Sequence, residues 1–245
     1  MIAPMSWIDS LFCALFAVIS PLYSVWGYRR LERDVTNGVA GARMREYAET
    51  IALLWLFGLG ALAVWVGQGR PLAEIGVSAP RGWPIVPAIL LSGAIVWFLS
   101  AQLARVKKMI RRPVVGVAEI ESVEALLPED PREVRAFTIA ALSAGVFEEV
   151  LYRGYLIAFL ESYVPLWVAV IVSSLAFAYG HSYQGVSNMP RIFLLSLVLA
   201  GLYLWTGSLL IPIVLHAFVD INSMLTARAV LSKWPAPESS EAAVK

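Results

Sequence analysis

Three short stretches of the chain place carboxylates, an arginine and both histidines at spacings that suit acid–base chemistry. The stretch FEEVLYRG, residues 147–154, sets two glutamates and an arginine inside an otherwise apolar run. An ionisable side chain in hydrocarbon costs roughly a few kcal/mol or more, so such groups usually pair, line a water-filled cavity or carry out chemistry. The candidate catalytic residues are therefore Glu148, Glu149, Arg153, His181, His216 and Asp220.

The two adjacent glutamates are predicted to point in different directions. Glu149 and Arg153 are four residues apart and share a helix face, so we expect them to neutralise each other. Glu148 points about 100° away and lacks that cation. It should face another neighbour or a water pocket, where it suits the role of general base. The plainer interpretation of Glu149 and Arg153 is a pair that only locks helices together.

The histidines extend this pattern into two later spans. Asp220 follows His216 by one helical turn and can hold its imidazole in one tautomer and orientation. Phe177 precedes His181 by one turn and is expected to pack beside it and to limit water on that side. Packing alone explains Phe177 equally well. Two histidines together with an unpaired carboxylate nevertheless favour a reaction over packing.

Hydrolysis of a peptide bond by water is a reaction that these residue types suit. It needs a base for the nucleophile, donors for the oxyanion and an acid for the leaving amine. Glu148 with His181 is predicted to activate water, while His216 and a neighbouring amide or carboxyl group stabilise the oxyanion. Ser143 and Ser173 are spaced for helix packing, which disfavours a covalent mechanism.

The composition places these residues in a membrane protein. Of the 245 residues, 59% are hydrophobic and 15% are charged, and the mean hydropathy is +0.71, which is too apolar for an ordinary soluble domain. A net charge of +1 gives no indication of nucleic-acid binding. The single cysteine, Cys13, is interpreted as a packing residue. We predict an all-α polytopic membrane bundle of about seven to eight transmembrane helices around a polar cavity.

Seven apolar runs approach the roughly 20 residues that a membrane-spanning helix needs. The run at 191–206 is short, so six or eight spans remain open alternatives. No inverted repeat of the transporter type is visible. The predicted spans are 5–27, 50–67, 83–104, 136–160, 164–181, 191–206 and 208–229.

Loop charges predict the orientation of the bundle. Arginines and lysines cluster after the first and third spans, and loops rich in them face the cytoplasm. The N-terminus is therefore expected outside and the C-terminus inside. By region, 1–134 are predicted as N-terminal transmembrane helices with a cytoplasmic linker, 135–230 as a catalytic core and 231–245 as a disordered tail. Within the linker, 116–134 fits either a surface helix or a solvated stretch.

These span boundaries contain a geometric difficulty. At about 1.5 Å per residue, Glu148 falls near the middle of the membrane but His181 close to the cytoplasmic edge. A longer, tilted fifth span or a wet funnel open to the cytoplasm would bring them together.

The three motifs resemble those of the CPBP family, the intramembrane glutamic endopeptidases that include CAAX prenyl proteases and bacterial self-immunity proteins. The family motifs Glu-Glu-x-x-x-Arg, Phe-x-x-x-His and His-x-x-x-Asn or Asp stand here as Glu148, Glu149 and Arg153, as Phe177 and His181, and as His216 and Asp220. Each motif is short, but their order, their spacing and their placement in three late spans extend the resemblance over about 135–225.

The resemblance implies a fold of about eight transmembrane helices around a conical cavity. The first glutamate and the second-motif histidine would activate water, and the third-motif residues would form the oxyanion site. Asp220 stands where prenyl proteases carry Asn, and an ionised Asp offers no hydrogen to an oxyanion. Asp220 is therefore either protonated or orients His216 instead.

The leading hypothesis is a metal-independent intramembrane endopeptidase that needs no cofactor. It would cleave a peptide or a protein tail, lipidated or not, that reaches the site from the cytoplasmic side, with membrane lipid as its other partner. Three alternatives stay open: a zinc metalloprotease using the same residues, a non-catalytic immunity or scaffold protein, and a proton-coupled transporter.

Overall fold

The computed structural model describes residues 5–109 and 120–233. Within them the chain forms seven long helices and no strand, which confirms the prediction of an all-α membrane bundle. Six helices are α1 (Trp7–Thr36), α2 (Ala42–Gly67), α3 (Ile85–Lys108), α5 (Leu166–Gly180), α6 (Met189–Thr206) and α7 (Leu210–Lys233). The remaining helix, α4, runs as Pro131–Glu148, continues as a π-helical segment Glu149–Leu156 and ends as Ile157–Glu161.

Among the described residues, five helices are long and apolar enough to cross a membrane, namely α1, α2, α3, α6 and α7. The apolar helix α5 is shorter, at 15 residues, and α4 carries the charged first motif. The chain is therefore an integral membrane protein built as a helical bundle.

Several helix ends differ from the prediction because polar first and last turns are helical without being apolar. Helix α2 begins at Ala42 instead of 50, and α4 begins at Pro131 instead of 136. Helix α7 continues to Lys233, three residues into the predicted disordered tail. The rest of that tail and residues 116–119 of the predicted surface segment lie outside the described residues. The described part of that segment includes a short turn, Glu124–Leu126, before α4.

The start of α4 has a clear sequence cause. The Asp130 side chain accepts hydrogen bonds from the backbone N–H groups of Arg132 and Glu133, and Pro131 occupies the first turn, where its missing N–H costs nothing. These backbone donors hold the pKa of the exposed Asp130 carboxyl below its usual range. The cap fixes the point from which α4 carries its carboxylates into the bundle.

Of the seven exposed tryptophans among the described residues, four lie at one end of the bundle. Trp7 begins α1, Trp83 precedes α3, Trp167 lies at the start of α5 and Trp205 at the end of α6, each at least 41% exposed. Aromatic side chains of this kind concentrate at the membrane–water interface. At the opposite end α3 finishes with three basic residues and α7 with a lysine. This asymmetry agrees with the predicted orientation, which stays a prediction.

A buried ion pair with a tyrosine partner connects two helices and a loop at the tryptophan-rich end. Both carboxylate oxygens of Asp9 accept from Arg70, at 2.9 and 2.8 Å. The Tyr155 hydroxyl donates to the same carboxylate at 2.6 Å. Asp9 and Arg70 side chains are almost fully buried. The start of α1 is thereby tied to the loop after α2 and to the π-helical segment of α4.

Candidate active site

Helix α4 changes its backbone hydrogen bonding at the first motif. The segment Glu149–Leu156 is π-helical, a wider i→i+5 arrangement that is rare and found frequently at functional sites. The Ser173 hydroxyl of α5 donates to the carbonyl of Tyr152 within this segment, at 2.7 Å. Ser173, which the sequence assigns to helix packing, therefore forms a hydrogen bond between two helices.

Close packing brings α7 against the first motif. A Cβ atom added at Gly145 would lie 2.9 Å from Cβ of Ala217 and 3.0 Å from the carbonyl oxygen of Ile213. Only a residue without a side chain fits that contact. The close approach places His216, the neighbour of Ala217, beside α4.

Glu149, Arg153 and His216 form the buried side of the site. Oε1 of Glu149 lies 3.0 Å from Nη1 of Arg153 and 2.7 Å from Nδ1 of His216. All three residues are at most 2% exposed. The predicted pairing of Glu149 with Arg153 is confirmed, but the carboxylate also binds an imidazole. The Glu149 carboxylate thus contacts residues of both the first and the third motif.

Two further contacts hold the guanidinium of Arg153. Its Nη2 donates to the Ser196 hydroxyl of α6 at 3.0 Å. Its Cζ lies 4.3 Å from the centre of the Phe177 ring, within the range of a cation–π interaction. The first motif is therefore connected to α5 and α6 as well as to α7.

Glu148, His181 and Asp220 form the open side. Oε2 of Glu148 lies 3.8 Å from Nε2 of His181 and 3.6 Å from Nε2 of His216. Oδ2 of Asp220 lies 3.7 Å from the same Nε2 of His216. The side chains of Glu148 and His181 are each 18% exposed, and that of Asp220 is 34% exposed. The three motifs therefore converge, with two carboxylates and one imidazole facing an opening.

The hydrogen bonds of the two imidazoles indicate their tautomers. Nδ1 of His181 lies 2.8 Å from the carbonyl oxygen of Phe177. A carbonyl oxygen only accepts, so Nδ1 carries the hydrogen and Nε2 of the neutral ring is a proton acceptor. Nδ1 of His216 likewise faces an acceptor, the Glu149 carboxylate. In both rings Nε2 is the atom that faces Glu148.

Asp220 has a different position from the one predicted for an orienting group. The hydrogen bond to the imidazole of His216 comes from Glu149 at Nδ1, whereas Asp220 lies near Nε2 on the open side. Residues 216 and 220 are one helical turn apart on α7, and Asp220 lies on the Nε2 side of the His216 ring. Because the contact of Glu149 with His216 is closer than that of Asp220, we assign the orientation of the His216 ring to Glu149.

Phe177 is the common packing partner of the site. Its ring centre lies 4.4 Å from that of His181, 5.7 Å from that of His216 and 5.1 Å from that of Tyr152. The ring is 2% exposed, so it shields one face of His181 as predicted.

The predicted difference in membrane depth between Glu148 and His181 is removed because α5 is short. Its 15 residues rise about 22 Å at about 1.5 Å per residue, so His181 lies short of the far membrane face. Helices α4 and α5 are joined by a short connection. Glu148, before that connection, and His181, after it, are separated from it by similar numbers of helical residues. Their side chains therefore meet without a lengthened fifth span.

Metal ligation finds no support in the arrangement of side chains. Among residues 5–109 and 120–233, no group of three or more His, Cys, Asp or Glu side chains is placed to hold a metal ion. Cys13 is buried and far along the chain from the motifs.

Some contacts around the site carry little signal in a single sequence. Ser196 is an ordinary helix serine, and its role depends on Arg153, 43 residues away. The Asp9 and Arg70 pair spans 61 positions. The available signs of that pair were an aspartate inside the first apolar run and an arginine just after the second.

Comparison with known proteins agrees with the motifs. Residues 131–222 match the family described as Rce1-like, type II CAAX prenyl endopeptidase, which confirms the resemblance over this segment. The chain is also similar to an uncharacterised 24.3 kDa protein of Escherichia coli, 33% identical over 72 residues. This match covers 28% of the present chain and 33% of the relative, about a third of each. No solved structure matches.

Proposed function

We propose that this chain, a membrane protein with a domain of the CPBP and CAAX protease type at residues 131–222, is a glutamic endopeptidase that needs no metal. The supporting observation is the pairing of Glu148 Oε2 with Nε2 of His181 at 3.8 Å on the open side of the site. Both atoms are proton acceptors when the carboxyl is ionised and the ring is neutral.

A water molecule shared by Glu148 and His181 would be the nucleophile. Their separation is too long for a direct hydrogen bond, and such polar contacts are commonly bridged by water. Oε2 of Glu148 is buried and has no hydrogen-bond partner within the described residues. A buried acceptor of this kind calls for a water or substrate partner. The water would donate one hydrogen to each acceptor.

The chemical step follows from these positions. The water oxygen attacks the carbonyl carbon of the peptide bond, and its proton passes to Glu148. The carbonyl oxygen becomes an oxyanion. Collapse of the tetrahedral intermediate breaks the carbon–nitrogen bond, and the proton on Glu148 passes to the leaving amine. One carboxyl group thus acts as base and then as acid.

His216 is the proposed oxyanion donor. The buried carboxylate of Glu149 accepts from Nδ1, so Nε2 points toward the open side in a fixed direction. When Nε2 also carries a proton, it donates toward the site that the substrate oxygen occupies. Oδ2 of Asp220 lies 3.7 Å from that atom, so the charge of an ionised Asp220 would favour the protonated imidazole without Asp220 donating a hydrogen bond itself.

The substrate class is part of the proposal. A peptide or protein tail, with or without a lipid, would reach the opening from the end of the bundle rich in basic residues.

The experiment is incubation of detergent-purified protein with a peptide library, with and without a metal chelator. Cleavage that persists in chelator supports the proposal. Cleavage that is lost in chelator and restored by zinc would favour a metalloprotease, and no cleavage of any peptide would favour a non-catalytic role.

A further inference from the structure

A cavity lies next to the open side of the site. Its volume is about 330 Å³, and it lies between the last turns of α1 and the loop that follows α5. Residues that line it include Val25, Tyr28, Ser122, Ser182, Tyr183 and Val186. Nothing in the proposed reaction uses this cavity.

Aromatic rings connect the cavity to the site. The ring of His181 stacks on that of Tyr183 with centres 6.0 Å apart. Tyr183 in turn contacts the ring of Tyr28 at 5.6 Å. The cavity wall is therefore separated from the proposed base by one aromatic ring.

The loop that carries Tyr183 is held in place by backbone contacts. The Tyr28 hydroxyl donates to the carbonyl of Ser122 at 2.7 Å, and the Ser122 hydroxyl donates to the carbonyl of Gln184 at 2.8 Å. Gly185 has a φ of +94°, a conformation that favours glycine and turns the loop sharply. These hydrogen bonds fix the walls of the cavity.

The chemistry of the walls selects an uncharged occupant. Two tyrosines and two valines are among the nine residues of the lining, and the charged residues Arg29 and Glu32 have opposite signs. The volume suits one large side chain, and an aromatic ring stacks favourably on tyrosine.

We infer that this cavity is a specificity subsite, which binds a bulky apolar or aromatic side chain of the peptide that the site cleaves. This inference rests on the proposed function. By these two steps the ring centres of His181 and Tyr28 are at most about 12 Å apart, a distance that an extended peptide crosses in roughly three to four residues. The selected residue therefore lies within about three to four positions of the scissile bond.

The test is a change of substrate preference on narrowing the cavity. Val186 is 77% exposed at its edge, so Val186→Trp partly fills the cavity with little effect on folding. The matched control is Val86→Trp, at a valine of α3 that is 63% exposed. For each protein, kcat/KM is measured on peptides with Phe or Ala at each position near the scissile bond.

We expect the wild type to prefer Phe at one position, within about three to four residues of the cleaved bond. Val186→Trp should reduce this Phe-to-Ala ratio by about tenfold, the scale on which apolar pockets discriminate by size, and Val86→Trp should leave it unchanged. An unchanged ratio in Val186→Trp, with cleavage that still depends on Glu148, would overturn the subsite and leave the proposed function standing. Absence of cleavage by the wild type would overturn both.

Discussion

Nδ1 of His216 lies 2.7 Å from Oε1 of Glu149, so the second glutamate of the first motif binds an imidazole of the third. The first glutamate, Glu148, faces both Nε2 atoms from the open side. Two adjacent and chemically identical residues therefore have separate tasks. Glu149 contacts Arg153 and His216 inside the bundle, and Glu148 faces the opening.

The adjacent glutamates allow a matched comparison of stability. Glu149→Gln leaves the buried guanidinium of Arg153 without its anion, and loss of one partner of a buried pair costs about 3–5 kcal/mol. Glu148 has no such cation, so Glu148→Gln should change stability little. Thermal unfolding in detergent measures both variants.

Equal melting temperatures for the two variants would contradict this division of tasks. The Glu149→Gln protein should also lose activity at temperatures at which it remains folded, because its His216 ring loses an anionic acceptor.

The π-helical segment is expected to depend on Ser173. Ser173→Ala removes the donor to the Tyr152 carbonyl and leaves a buried polar group unpaired, at a cost of about 1–3 kcal/mol. The control is Ser162→Ala, because the Ser162 hydroxyl bonds within its own exposed turn. Chemical denaturation should show that the Ser173→Ala protein has a lower free energy of unfolding than the Ser162→Ala protein. Equal values would refute the role of Ser173 in holding the π-helical segment.

The ion pair between Asp9 and Arg70 is predicted to stabilise the bundle without acting in the reaction. Asp9→Asn should cost about 3–5 kcal/mol, because Arg70 stays buried. The control Asp34→Asn affects a partly exposed pair with Arg45, for which about 0.2–1 kcal/mol is expected. Folded Asp9→Asn protein should keep its kcat, and a selective loss of kcat would assign Asp9 to the site instead.

The orientation in the membrane is open to cysteine labelling. In a Cys13→Ala background, Asn37→Cys should react only with reagents that reach the cytoplasm, and Ala79→Cys should react from outside. Both positions are exposed in loops at opposite ends of the bundle. The reverse pattern would place the opening of the site on the outer side and exclude cytoplasmic substrates.

The helices and the three motifs were predictable because apolar length and i,i+4 spacing are local properties of a sequence. The contact between Glu149 and Arg153 follows from such spacing. The bond from Glu149 to His216 joins positions 67 residues apart, and its register depends on the close approach at Gly145. The π-helical segment was also not predictable, since its hydrogen bonding is set by partners such as Ser173 on another helix.

The central claim is that Glu148 deprotonates the attacking water, and Glu148→Gln tests it most directly. The measurement is kcat/KM for a susceptible peptide, with purified wild-type and Glu148→Gln proteins of equal melting temperature. Loss of a general base predicts a decrease of about 10²–10⁴-fold. Turnover by Glu148→Gln at the wild-type rate would contradict the account.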